Sequence, residues 1–299
     1  GAWNQKRVPG RRPTLHSQSG RRLSNTAHII SQSGRRLAEP GRARRYQAWD
    51  VVQGLSSYVR SNLAYKATLE GLGVGDVEAS AMAGALAKTA RDAVAMATGL
   101  GLAYAKSRDF GRRVRQWRLM ADVANDAGLA IQMVAPVWRN GDHFLLLACV
   151  AAACHCACGV CAGATKASIS QHFATDNFAE LVAKEGSQET FVNILGLVVG
   201  YASLRLLNRS PGAVAFAFVI LTAVHVVANV LAVRTLRFRS VNEVRFRILH
   251  ERWRLGGDLG VAAVGDAEPL LPGLGRDRVL LGAALADAID VPAAAAAAA

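Results

Sequence analysis

The sequence predicts an all-α fold, a multi-helix bundle with two or more transmembrane or membrane-embedded helices, and three observations carry that prediction. Apolar runs at helical spacing follow one another, punctuated by Gly, Pro and Ser. No stretch sustains the period-two alternation that a half-buried strand needs. Two runs, residues 144–164 and 213–233, are long enough at about 1.5 Å per residue to cross a hydrocarbon core of about 30 Å.

The elements follow in order. Residues 46–72 read as a helix with Trp49, Val52, Leu55, Tyr58, Val59 and Leu63 at mixed three- and four-residue spacing, stopped by Gly71, Gly73 and Gly75. Asp76 is placed to cap the Ala-rich helix of residues 77–104. Lys88, Arg91 and Asp92 interrupt it, which argues against a simple lipid-facing span. Residues 117–134 form a further helix ended by Pro136, whose preceding residue is biased away from helical dihedrals. Residues 144–164 are apolar or small throughout except His155. Residues 190–207 form a shorter apolar helix after the polar stretch 184–189, with Ser187 expected to cap it. Pro211 opens the helix of residues 213–233, whose clearly polar members are His225 and Asn229. Arg234, Arg237 and Arg239 cluster where that span is expected to meet an anionic membrane face. Gly196-x-x-x-Gly200 is a small-residue motif that permits close helix contact.

Charge divides the chain. The 299 residues carry 35 Lys/Arg against 22 Asp/Glu, but residues 1–45 alone hold eleven basic residues and one acid. The remainder has 24 basic and 21 acidic residues, a balance of +3, so nucleic acid is not an expected partner of the folded body. Residues 1–45 repeat Ser-Gln-Ser-Gly-Arg-Arg-Leu at Ser17 and again at Ser31. Too little apolar surface exists there to offset ordering entropy, which suits a transit-like leader, a disordered basic arm or an anion-binding arm. The helical domain is expected over residues 46–254, and the Gly/Ala-rich residues 255–299 as a low-complexity tail.

The five cysteines all fall between Cys149 and Cys161, the wrong arrangement for disulfides that staple distant loops. Cys154, His155, Cys158 and Cys161 have short spacings that a metal could use. On a helix, however, Cys156 points away from the face shared by Cys154, Cys158 and Cys161, and no flanking loop wraps an ion. Packing as small apolar residues is the better account, and a metal site is rejected. Gly71-x-Gly73-x-Gly75 follows no strand and precedes no Walker lysine, so a helix-ending turn explains it. No nucleophile elbow or His-Glu-x-x-His pair occurs, and no enzyme activity or cofactor is expected.

The polar residues that interrupt apolar helices are the candidate site: Arg91, Asp92, Asp122, Asn125, Asp126, Lys166, His172, Lys184, Glu185, Gln188, Glu189, His225 and Asn229. Asp122, Asn125 and Asp126 share one helix face at i, i+3 and i+4. Charges among apolar helices are costly unless paired or facing water. Two readings follow: a polar cavity at the helix interfaces that binds an ion or small metabolite, or structural ion pairs such as Lys184 or Arg91 with Asp122 or Asp126.

Ordered blocks between Tyr46 and about Leu249 resemble the Root UVB Sensitive family. They are Tyr46-Gln47-Ala48-Trp49-Asp50 with Gln53-Gly54-Leu55; Leu69-Glu70-Gly71-Leu72-Gly73-Val74-Gly75-Asp76; and Trp117-Arg118-Leu119 with Ala121-Asp122 and Asn125-Asp126-Ala127. Gly163-Ala164-Thr165-Lys166-Ala167 with Gln171-His172, and Ala183 to Thr190 with Asn193, follow, and Leu221 to Arg234 closes the set. The resemblance implies an organelle-membrane protein, plastid (chloroplast) or alternatively mitochondrial. It further implies roles in UV-B and light response, seedling development and auxin transport, and pairing with another family member. The leader and the short C-terminal region depart from the family's pattern. The expected function is a non-enzymatic scaffold or partner-binding membrane component, contacting the lipid bilayer and membrane-complex subunits. A small-solute or ion transporter is the first alternative, and a soluble vitamin B6-handling protein using Lys166 or Lys184 the second.

Overall fold

The computed structural model describes residues 40–74, 80–138, 142–174, 178–207 and 210–271. These form eight α-helices and one 3-10 turn, with no strand among the described residues. They are α1 (Pro40–Gly71), α2 (Ala81–Phe110), α3 (Val114–Val134) with the 3-10 turn Ala135–Trp138 after it, α4 (Asp142–Phe173), α5 (Phe178–Leu207), α6 (Pro211–Thr235), α7 (Glu243–Arg254) and α8 (Val261–Ala267).

Local chemistry explains the boundaries. α1 ends at a turn in which Gly73 takes φ 78°, a left-handed conformation that an L side chain resists, and the amide of Val74 bonds the carbonyl of Leu69 at 3.0 Å. Ser80 caps α2 by accepting from the amide of Ala83 at 3.4 Å; the expected cap, Asp76, lies outside the described residues. Ser210 caps α6 from Ala213 at 3.3 Å with Pro211 in the first turn, where a missing N–H costs nothing. Pro136 converts the end of α3 into the 3-10 turn. The polar stretch 184–189 does not break the chain. Ser187 is no cap: it lies inside α5 and donates to the carbonyl of Ala183 at 2.9 Å.

α1 is central. It packs against α6, α5 and α3, while α4 packs on the other side of α3 and carries α2 on its outer face. Three small clusters fill the interfaces. Leu63 and Ala64 of α1 meet Leu129 of α3 and Phe218 of α6. Phe110, Ala121 and Cys161 join α2, α3 and α4. Tyr46, Val114, Ile169, Ala232, Leu236 and Phe238 close one end of the bundle. The Gly196/Gly200 motif does what its spacing implies: a Cβ on Gly196 would come within 2.7 Å of the Tyr58 ring, and one on Gly200 within 2.2 Å of Asn62 Nδ2. α5 therefore seats its small face directly on α1.

Three helices are long and apolar enough to cross a membrane: His143–Phe173, Phe178–Leu207 and Pro211–Thr235. The second of these, α5, extends beyond residues 190–207, because the preceding polar stretch continues its helix. Only 22%, 17% and 22% of their most apolar windows are buried within the protein. Phe191 and Leu197 on α5 and Phe216 and Val219 on α6 are all more than half exposed. Among the described residues, no polar-coated layer wraps these apolar helices.

Two expected boundaries shift. α1 begins at Pro40, so residues 40–45 belong to its first turns; residues 1–39 lie outside the described set. Past residue 255 the chain still packs: α8 is held by Glu268, which is 5% exposed and joins Arg245 at 3.0 Å and Arg115 at 3.4 Å. Arg237, expected at a membrane face, instead forms a two-pronged pair with Asp266 at 2.9 and 2.7 Å. Residues 272–299 are outside the described set.

Candidate functional site

α1, α3, α4, α5 and α6 each contribute polar side chains to one cavity of about 430 Å³. Helical periodicity explains the convergence: Asp122 and Asn125 lie one turn apart on the α3 face that meets α1 and α6, and Glu185, Gln188 and Glu189 share one face of α5. Lys166 on α4 and His225 on α6 complete the predicted residues that line it. Its rim is exposed at Lys166 and Glu189, which pair at 2.5 Å. Its floor is buried, with Asp122 at 6% and His225 at 0% exposure.

Behind the floor stands an ion-paired cluster. Arg60 of α1, fully buried, donates to Asp126 Oδ1 at 2.7 Å and to Thr222 Oγ1 at 3.2 Å. His225 Nδ1 lies 3.0 and 3.2 Å from the two oxygens of the same carboxylate. Burial pushes the Asp126 carboxyl upward, but the hydrogen bond and charge of His225 together with Arg60 outweigh it and hold the group below its ordinary range. Asp126 is therefore an ionised acceptor, so His225 carries its proton on Nδ1 and turns Nε2 away from the pair. That Nε2 has no hydrogen-bond partner among the described residues; neither does Asp122 Oδ2.

Arg118 of α3 organises the other wall, donating to Asp50 of α1 at 3.1 Å and lying 3.9 Å from Asp122 Oδ2. Burial pushes the Asp122 carboxyl above its ordinary range, and Arg118 and His225 offset only part of that. Asn125 donates to Ser57 at 3.2 Å, and Ser170 of α4 donates to Glu185 at 2.6 Å.

The remaining predicted residues lie elsewhere. Lys88 pairs with Asp92 on the exposed face of α2, and Arg91 is on the same helix, remote from Asp122 and Asp126. Lys184 pairs with Glu180 within α5. The expected pairing of Lys184 or Arg91 with the α3 carboxylates is therefore replaced by Arg60 and Arg118, because α1 rather than α2 or the start of α5 faces that part of α3. The His172 ring lies tilted against those of Phe173 and Phe238, at centroid distances of 5.2 and 4.8 Å. Asn229 is buried one turn beyond His225, with its Oδ1 unpartnered among the described residues.

The cysteine run packs. Cys161 is buried against Phe110 and Ala121, and a Cβ on Gly99 would meet Cys156 Sγ at 2.9 Å, so that thiol fills the α2–α4 contact. His155 lies over Gly128, its Nε2 3.2 Å from Gln132 Oε1. Arg60, Asp50 and Arg118 are the contributors that sequence reasoning passed over. A charge at Arg60 within the apolar face of Tyr58, Val59 and Leu63 was the available signal.

Fold and cavity together define a helical protein with three helices long and apolar enough to cross a membrane and a polar chamber lined by charged side chains between its helices. Residues 43–256 match the family model described as the vitamin B6 photo-protection and homoeostasis domain. The chain is 34% identical over 209 residues to RUS family member 1 of Dictyostelium discoideum, covering 69% of this chain and 40% of that protein. It is 34% identical over 229 residues to protein root UVB sensitive 3 of Arabidopsis thaliana, covering 76% of this chain and 52% of that protein. The chain belongs to the Root UVB Sensitive family. It spans about half or less of the length of these curated relatives. No solved structure matches it.

Proposed function

We propose that this chain is a non-enzymatic membrane protein that holds a small polar solute in the chamber between α1, α3, α4, α5 and α6 and carries it across an organelle membrane. One observation carries the reading: a cavity of about 430 Å³, within the ~300–1,000 Å³ range of small-molecule sites, has buried ionisable groups at its floor with hydrogen-bonding capacity left over. Asp122 and His225 both line that space, and each keeps a buried polar atom, Oδ2 and Nε2, without a hydrogen-bond partner among the described residues. The three apolar helices with their exposed faces support embedding, and the name of the Arabidopsis relative, root UVB sensitive 3, supports a role in the response to ultraviolet-B light. The test is uptake into liposomes carrying the purified chain, using tritium-labelled unphosphorylated vitamin B6 forms as first probes because the family description names that vitamin. Saturable uptake that falls at least about tenfold in His225→Ala supports the reading; uptake no greater than into protein-free liposomes contradicts it.

A partner-binding role is supported by α2, which packs chiefly on α4 and exposes Met96, Leu100 and Tyr104 at 68%, 75% and 92%. A partner helix, such as that of another family member, would cover this stripe. Co-purification of a second family member, surviving His225→Ala and lost in Leu100→Asp, would support it.

A further inference from the structure

The charge around the chamber is unbalanced. Four carboxylates line it, Asp50, Asp122, Glu185 and Glu189, against two fixed cations, Arg118 and Lys166. Both cations are already engaged: Arg118 with Asp50 at 3.1 Å and Lys166 with Glu189 at 2.5 Å. Asp122 Oδ2 is left 3.9 Å from Arg118 with no hydrogen-bond partner among the described residues, and Glu185 has a neutral donor, Ser170, at 2.6 Å. A buried carboxylate without a close counter-charge is expensive, and an incoming cation removes that expense.

The unused hydrogen-bonding capacity has the same sense. Asp122, which lines the chamber, keeps an Oδ2 without a hydrogen-bond partner among the described residues, and an ionised carboxylate oxygen only accepts. The leftover donors, Arg60 Nε and Nη2, belong to a residue that does not line the chamber. No group of three or more His, Cys, Asp or Glu suited to a metal ion occurs among the described residues, so the chamber is not built to wrap a bare divalent cation. A phosphorylated ligand fits poorly, since a phosphate needs free cations or convergent backbone N–H groups and both lining cations are spoken for. Lys166, the residue a pyridoxal aldehyde would seek, sits on the exposed rim paired with Glu189.

From this imbalance we infer that the chamber selects a small organic cation, a protonated amine with further hydrogen-bond donors, whose ammonium sits between Asp122 and Glu185. The inference rests on the solute-site reading above and adds the charge of the ligand. Three ligands that share one ring system and differ in charge test it: pyridoxamine with its ammonium, pyridoxine with an alcohol in its place, and pyridoxal 5′-phosphate with an aldehyde in its place and an added phosphate. Binding to the full chain in lipid nanodiscs is measured by calorimetry at pH 7.5. Pyridoxamine is expected to bind at least about tenfold tighter than either of the others. Asp122→Asn is expected to erase that preference without weakening pyridoxine. Glu185→Gln, at the half-buried edge where folding is less at risk, is expected to reduce the preference. Equal or tighter binding of pyridoxine or the phosphate ester overturns the charge inference and leaves the solute site standing. Silence from all three overturns both. A pyridoxamine preference unchanged in both variants overturns the assignment of the ammonium to these carboxylates.

Discussion

Replacing Arg60 tests the ionic cluster behind the chamber. Its side chain is fully buried, and it supplies the 2.7 Å partner of Asp126 and a second bond to Thr222. Arg60→Met keeps most of the volume and removes the charge. Asp126, 15% exposed, then keeps only His225 as a close partner. Removing one member of a buried pair costs about 3–5 kcal/mol, and the residual exposure and His225 place this case near the lower end, about 3 kcal/mol. For a domain of this size, that corresponds to a fall of roughly 6–12 °C in thermal midpoint. Tryptophan fluorescence of the detergent-solubilised protein follows the transition, since Trp49 and Trp117 sit in the bundle interfaces. The double variant Arg60→Met/Asp126→Asn should recover part of the loss, because neither charge is then stranded. A single variant within about 2 °C of the parent, or a double variant showing the full sum of the two single losses, would refute the pairing argument.

Three further outcomes follow from the geometry. Glu268→Gln strands the buried guanidiniums of Arg115 and Arg245, with an expected cost of about 3 kcal/mol. Hydrogen exchange should show residues 260–271 losing protection ahead of α1. Gly196→Leu drives a side chain into the Tyr58 ring, where even a Cβ has only 2.7 Å, and should cost at least about 1–3 kcal/mol by loosening α5 from α1, read as a lowered thermal midpoint. The Asp126 carboxyl is held below its ordinary pKa of about 3.8 by His225 and Arg60, against its own burial and with Asp122 one turn away. A depressed carboxylate stabilises the fold above its unfolded pKa and loses that contribution as pH falls through the folded one. Thermal midpoints should therefore fall as acid is added below about pH 4, and Asp126→Asn should flatten that part of the profile.

The helices were legible because each carries its own period and punctuation. Pro211 with Ser210, the Gly73 turn and Pro136 act within a few residues, so a local reading finds them. The chamber was legible in part. Asp122, Asn125, Lys166, Glu185, Gln188, Glu189 and His225 stand out as polar residues in apolar company, and five helices bring them together. Asp92 and Lys184 gave the same signal but lie on exposed faces paired within their own helices, and Arg91 is half-buried on a helix that does not line the chamber; composition does not distinguish these placements. The pairing of Asp126 with Arg60 spans 66 residues and follows only from α1 running between α3 and α6. The start of α5 was misplaced for a different reason. A charged stretch reads as a loop, yet residues 184–189 continue the helix because their polar groups point into the chamber or bond within the turn.

Lipid solvation of α4, α5 and α6 is the premise beneath the chamber, and extraction of native membranes with alkaline carbonate measures it. The chain is expected to remain wholly with the sedimented bilayer, because three helices with more than three quarters of their apolar windows uncovered by protein have no stable place in water. Recovery of folded, monodisperse chain in the aqueous supernatant would contradict the account.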